Sequence, residues 1–455
     1  MRKILCLLFL VAAVHVQAAN YPSGNPRTTD NDDSCDISLL PAATLLLPYF
    51  EIDLDSANGQ TTLVTVTNAS NAEQVAHVTL WTDWGYPVID FNLYLTGYDV
   101  QSLNLFDIIA RGQIAPPRGT GFERAGSPEG DLSGDNTLVE EDTCRFLPMQ
   151  IDDHYILRMR EAFMYGNIPA RGNDPGCTTA GSPRHAHRNE NAIGYATIDL
   201  VRQCITATPV DQEYYDLLLF DNVLIGDYQQ VDSQNEYAQS SPLVHIRAIP
   251  EGGIPTSRPV TNLKRTFYSR HQSGPVNTRD ARQPLPATFA AHWISGGAGQ
   301  FQTSLKIWRE GATGPNPACA AYSLSAQMPI REVVRFDEEE NFVAFTTGLA
   351  DPPIVHVPRA PATSLVDTDD DDVFPFNPLD AVAGWMYVNL DTDAPEGEYA
   401  RQGWIVSSMR AEGRYSGDAD VSALGNGCSP RIGQSEATET GSATISIGPA
   451  GNPNP

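Results

Sequence analysis

The sequence predicts an all-β protein of two tandem immunoglobulin-like β-sandwich domains, with a loop-rich insertion carrying a short helix in the first. Three observations point to it. Residues 62–109 hold short runs of Val, Leu, Thr and aromatic residues that alternate with polar ones and are cut at Asn68-Ala69-Ser70-Asn71 and Trp84-Gly85-Tyr86-Pro87. Alternation of period two between turn residues is the pattern of half-buried antiparallel strands. Blocks also recur in order: residues 62–68 with Trp81 match 288–295 with Trp308, Tyr94 and Phe106-Asp107 match Tyr322 and Phe336-Asp337, and 194–200 matches 384–390. A duplicated unit leaves such a trace, and a chain of 455 residues exceeds what one core usually serves.

Taken in order, the chain opens with Arg2 and Lys3, an apolar run over 4–16 and small residues at Val16 and Ala18, so residues 1–18 read as a signal peptide. Cys6 lies inside that apolar run, which argues against a lipoprotein. No later apolar run approaches the roughly 18–20 residues a membrane-spanning helix needs, so no transmembrane segment is expected. The expected location is periplasmic, cell-surface or extracellular. Residues 19–38, rich in Asn, Asp, Pro and Thr, form an expected disordered leader.

The first domain spans 39–249 and starts with a strand in 39–54, where Pro41 and Pro48 oppose a continuous helix. Its insertion, 111–191, has flanks dense in Gly, Pro and charge. Inside it Ile151, Tyr155, Ile156, Met159 and Phe163 recur at helical spacing after Asp152 and Asp153, and Gly166 ends the pattern. Long insertions carry function more often than they merely connect, so a binding surface is expected here. Strand-like runs at 221–228 and 243–248 close the domain, and 250–283 is the expected linker region. The second domain covers 284–430, with late strands at 403–411 and 414–424, and a disordered tail is expected over 431–455.

Six cysteines follow the signal: Cys35, Cys144, Cys177, Cys204, Cys319 and Cys428. An even count in an exported chain favours disulfides, and wide spacing without CxxC pairs argues against structural zinc. Pairing of Cys319 with Cys428 in the second half leaves the other four to pair in the first half by one of three schemes. Formal charge is -27, and -29 once Arg2 and Lys3 are removed. Such a surface repels phosphate backbones and anionic lipid, so no nucleic-acid partner is expected.

Sequence signatures of a serine nucleophile elbow, a His-Glu-x-x-His zinc site and a phosphate-binding loop are absent. Calcium is the cation the sequence supports best: Asp53, Asp55 and Asn58 offer oxygens at near-alternate positions before Gly59, although Val64 stands where an EF-hand needs its bidentate acid. A hairpin turn accounts for the same residues. The acidic run 367–372 and Asp391, Asp393, Glu396 and Glu398 read as solvated loops with a secondary claim on cations. His185 and His187, with His154, form an incomplete set for a transition metal. Trp81, Trp308 and Trp385 are assigned to the cores from their repeat-matched positions, whereas Trp84, in a turn, is expected to be exposed.

The stretches YATIDLVRQC, DNVLIGDYQQVD, EYAQSSPLVHIRA, RQPLPATFAAHWISGGAGQFQTSLKIWRE and VVRFDEEEN resemble blocks in a family of uncharacterised exported bacterial proteins, over about 39–428. The resemblance implies export and a β-rich fold and transfers no activity. The functional expectation is a non-catalytic exported or surface-associated protein that binds an unidentified protein or envelope component through sandwich loops and the insertion. The alternatives are a secreted carbohydrate-active enzyme using paired carboxylates and a calcium-stiffened surface structural subunit.

Overall fold

The computed structural model describes residues 39–83, 85–114, 151, 153–166, 190–205, 207–209, 214–248, 266–267, 280–297, 300–310, 328–330, 332–346, 359–360, 363–368, 381–390, 402–411, 415–419 and 421–423. The strands of the first half are β1 (Thr44–Ile52), β2 (Gln60–Asn68), β3 (Gln74–Thr82), β4 (Pro87–Leu95) and β5 (Val100–Asn104). Helices α1 (Leu105–Arg111) and α2 (Asp153–Tyr165), strand β6 (Ala192–Val201), the short α3 (Tyr214–Leu217), β7 (Leu224–Asp232), β8 (Tyr237–Pro242) and β9 (Val244–Ile246) follow. The second half contributes β10 (Thr288–Ile294), β11 (Phe301–Arg309), β12 (Met328–Pro329), β13 (Glu332–Asp337), β14 (Phe342–Thr346) and β15 (Arg359–Ala360). It ends with β16 (Thr363–Asp367), β17 (Ala383–Asn389), β18 (Gly403–Ala411), β19 (Tyr415–Ala419) and β20 (Val421–Ala423).

Alternation in the sequence becomes alternation of burial: β2 is buried and half-buried at successive residues along its whole length, as a pleated strand covered on one face requires. The chain is all-β in its architecture. Strands of the first half form sheets ordered β4-β3-β6-β1-β9 and β5-β2-β7-β8; those of the second form β14-β13-β17-β10-β20 and β16-β11-β18-β19, with β12 and β15 pairing separately. All pairings are antiparallel. The two halves share one strand order. Replacing β1 to β9 in turn by β10, β11, β13, β14, β16, β17, β18, β19 and β20 converts the first pair of sheets into the second.

Register fixes the equivalence residue by residue. Gly194 pairs with Phe50 and Thr82, and Gly384 pairs with Trp293 and Asp337. One residue on, Tyr195 stacks on Trp81 at 5.7 Å and Trp385 on Phe336 at 4.2 Å, each pair nearly coplanar. The recurrence of 194–200 at 384–390 is therefore a true equivalence, β6 against β17. Two of the other sequence matches are out by one strand: residues 288–294 are β10, the counterpart of β1 and not of β2, and Trp308 lies on β11 whereas Trp81 lies on β3; Phe336-Asp337 end β13, the counterpart of β3, whereas Phe106-Asp107 lie in α1, and Tyr322 lies outside the described residues. Aromatic residues ending apolar strands recur on several strands of each sandwich, which is why matching by composition slipped. Pro48 is accommodated at an irregularity between Leu47 and Phe50, where a ladder tolerates proline.

The four sheets stack as layers. Leu45, Leu47, Val64, Val78, Ile198 and Tyr228 meet in a core between the first two sheets, and Phe289, Leu305, Val333, Val366, Val388 and Ile405 do so between the last two. Intervening residues of the same strands point the other way and build a third apolar layer: Leu46, Trp81, Tyr195, Val244 and Ile246 of the first half face Trp308, with Trp404 packed alongside. Thr363 crosses the junction twice, its N–H donating to the Asp83 carbonyl (2.9 Å) and its hydroxyl to the Pro48 carbonyl (2.6 Å). The described residues of the expected linker region are not solvated: Phe267, Asp280, Ala281 and Arg282 are each at most 1% exposed.

Two helices depart from plain sheet. The final part of residues 62–109 is α1 and not a strand. Asn104 caps it by accepting from the Phe106 N–H (3.1 Å), Asp107 and Arg111 sit at the favourable ends, and Gly112 closes it at φ 67°. Within the insertion α2 forms where the helical spacing placed it; Met159 and Phe163 enter the first core, and Gly166 follows at φ 64°. Among the described residues no helix is long and apolar enough to cross a membrane.

Candidate functional site

The outer face of the β5-β2-β7-β8 sheet carries a groove of about 230 Å³. Alternate positions of three strands supply Leu63, Thr65, Ser102, Asn104 and Gln229, and α1 with the residues after it supplies Asp107, Gln113 and Ile114. The groove wall is rigid for local reasons. Asn104 accepts from Thr61 (3.0 Å) and donates to Asp107 (3.0 Å), while Arg111 pairs with Asp107 at 2.7 Å. Beyond α1, the Ile151 N–H donates to the Gly112 carbonyl at 2.5 Å, so both sides of the 115–150 segment are fixed beside the groove. Asp107 is already engaged, which leaves Thr65, Ser102, Gln113 and Gln229 as neutral hydrogen-bonding groups on an apolar floor. Ligand pockets typically measure about 300–1,000 Å³. The groove suits one side chain or one small polar ring more than a cofactor.

The predicted calcium residues form a turn closed by its own bonds. Asp53 accepts from the N–H groups of Asp55 (2.9 Å) and Ser56 (3.2 Å), and the Asn58 N–H donates to the Ser56 hydroxyl (3.3 Å). Asp55 turns outward to Arg160 of α2 (2.5 Å), and a Cβ on Gly59 would lie 2.2 Å from the Asp53 carboxylate. Among the described residues no group of three or more His, Cys, Asp or Glu side chains is placed to hold a metal ion.

A buried polar cluster, not singled out from the sequence, lies where the linker region meets the first sandwich. Arg282 forms a two-pronged contact with Asp280 (3.1 and 3.0 Å) and reaches Asp199 of β6 at 2.9 Å. Asp199 also accepts from Thr44 (2.6 Å) and from the Tyr214 hydroxyl, and Thr266 donates to Asp280 at 2.7 Å. Burial opposes the charge on Arg282, but Asp280 and Asp199 outweigh it and hold the guanidinium above its ordinary pKa. Burial raises Tyr214, reinforced by Asp199. Next to Asp199 across the β3–β6 ladder, His77 bonds Asn92 through Nδ1 at 2.9 Å. Burial lowers His77 to about 4, against the opposing influence of Asn92 and Asp199. It is neutral near pH 7, so the 3.7 Å approach of Asp90 is no ion pair there. This cluster joins β1, β6, α3 and the segment leading into β10. A charge inside the apolar run 195–201 was the available signal, since a buried acid must find a partner.

Trp81 and Trp308 are fully buried, but in the layer between sandwiches. Trp385 corrects the expectation of a core position: it is 37% exposed, because its sheet is the outermost layer of the stack and no sandwich covers that face. Trp84, His185, His187, the side chain of His154, Asp391, Asp393, Glu396 and Glu398 lie outside the described residues. So do Cys35, Cys144, Cys177, Cys319 and Cys428; Cys204 is buried at 8% exposure. Of the 367–372 run, Asp367 is described and accepts from Ser304 at 2.5 Å.

No family model and no curated protein matches the chain. A solved structure of recombinant N-glycanase F (PNGase F) aligns with 88% of this chain and 99% of its own, at 9% identity and a TM-score of 0.18. A likeness at that score carries no argument about this chain.

Proposed function

We propose that the chain is a non-catalytic exported protein that binds a protein or envelope component through the insertion and the adjacent groove. The observation that carries this reading is the anchoring of the insertion. Gly112 and Ile151, on either side of its 115–150 segment, are bonded to each other, and α2 is seated by Met159 and by Phe163, whose ring meets Phe50 edge-on at 5.5 Å. Long segments held on a rigid scaffold are where binding residues concentrate. Export is supported by the signal-like residues 1–18 and by the six remaining cysteines, of which Cys204 is disulfide-bonded.

The test replaces residues 115–149 with a short Gly/Ser linker while keeping Ile151 and α2. The variant should unfold as cooperatively as the parent and should lose its association with the envelope fraction of the native host. Unchanged fractionation with cooperative unfolding would overturn the proposal.

A further inference from the structure

We infer that the contact joining the two sandwiches is repeated between chains, so that a second copy docks head to tail on the outermost sheet. The argument starts from what touches inside one chain. On the sheet containing β3 and β6, the pair Trp81 and Tyr195 receives Trp308 edge-on, at 5.9 Å from Tyr195 with the planes at 74°. Trp308 belongs to a row that crosses its own sheet as Thr363, Trp308 and Trp404. Thr363 holds the row in place through Asp83 and Pro48.

Strand equivalence locates the counterparts of the same two surfaces on the two outermost sheets of the stack, among the described residues. The counterpart of Trp81 and Tyr195 is Phe336 and Trp385, on the outer face of the last sheet. The counterpart of the Thr363-Trp308-Trp404 row is Val100, Thr67 and Ile225, on the outer face of the first sheet. Each carries an exposed apolar side chain among the described residues: Trp385 (37%) on one and Val100 (45%) on the other. Scattered exposed hydrophobics need no explanation; a placement in register with an existing interface does. The occupant that offers both surfaces in the required order is another copy of this chain.

The two surfaces differ, so the contact is heterologous and does not close on itself; short open chains are expected instead of a discrete dimer. With a formal charge of -27 per chain, copies repel at low ionic strength and salt should strengthen the association.

Sedimentation velocity of the mature chain, across protein concentration and salt, tests it. The average sedimentation coefficient should rise with both without settling at one species. Trp385→Ser and Val100→Lys, each confirmed to melt like the parent, should each be monomeric alone. Mixed in equal amounts they should form a heterodimer and nothing larger, because each lends one intact surface. A parent that stays monomeric throughout, a closed dimer, or variants that fail to pair when mixed would overturn the inference.

Discussion

Individual residues matter here chiefly through what they are forced to face. Gly194 and Gly384 admit two aromatic pairs: a Cβ at Gly194 would stand 2.1 Å from the Trp81 carbonyl and 2.5 Å from the Phe50 ring, and one at Gly384 1.9 Å from the Phe336 carbonyl. Backbone atoms of a central strand cannot step aside, so Gly194→Ala should cost about 3 kcal/mol or more, as overpacking of a closed site does; chemical denaturation checks this. His77 makes a pH prediction. Its pKa falls from 6.5 to about 4 on folding, so its contribution is complete above pH 6.5, is lost as pH falls from 6.5 towards 4, and changes no further below that. The loss amounts to roughly 3 kcal/mol. In His77→Gln the dependence of stability on pH over that interval should be shallower than in the parent. An unchanged slope would contradict this assignment.

At the scale of elements, α2 shows how a local pattern becomes a packed anchor. Its buried side is Met159, Ala162 and Phe163, and truncating a buried Phe typically costs about 3–5 kcal/mol. Phe163→Ala should destabilise the first sandwich by that order, measured by urea denaturation, because the residue fills space against Phe50 of β1. Surface positions on the same helix, such as Leu157, which is 64% exposed, should tolerate alanine within about 0.5 kcal/mol. The helix was legible because its apolar residues recur at a helical period; α1 was less so because Leu105, Phe106, Ile108 and Ile109 read as one more apolar strand. Its real signals were Asn104, Asp107 and Gly112, the residues that cap and charge a helix. The groove was not legible at all. It is assembled from β2, β5, β7 and the end of α1, and no local pattern reports which strands become neighbours.

For the whole molecule, duplication was legible and its register only in part. Residues 194–200 and 384–390 align because both strands sit centrally in their sheets and carry the same glycine–aromatic step, whereas segments with looser constraints were matched to the wrong element. The fate of the aromatic pairs was hidden for a different reason. Tyr195 is buried and Trp385 is 37% exposed at equivalent positions, and the difference lies in which sheet another sandwich covers. The stack behaves as one body in this account, since Trp308 lies against Tyr195 and Phe267 and the buried Arg282 ties Asp199 to the segment leading into β10. The measurement that bears on this most directly is differential scanning calorimetry of the mature chain and of Trp308→Ala. The parent should unfold in a single transition whose calorimetric and van't Hoff enthalpies agree, and removal of the junction tryptophan should lower it and separate it into two. Two transitions in the parent, both unmoved by Trp308→Ala, would contradict the account by showing two sandwiches that merely share a chain.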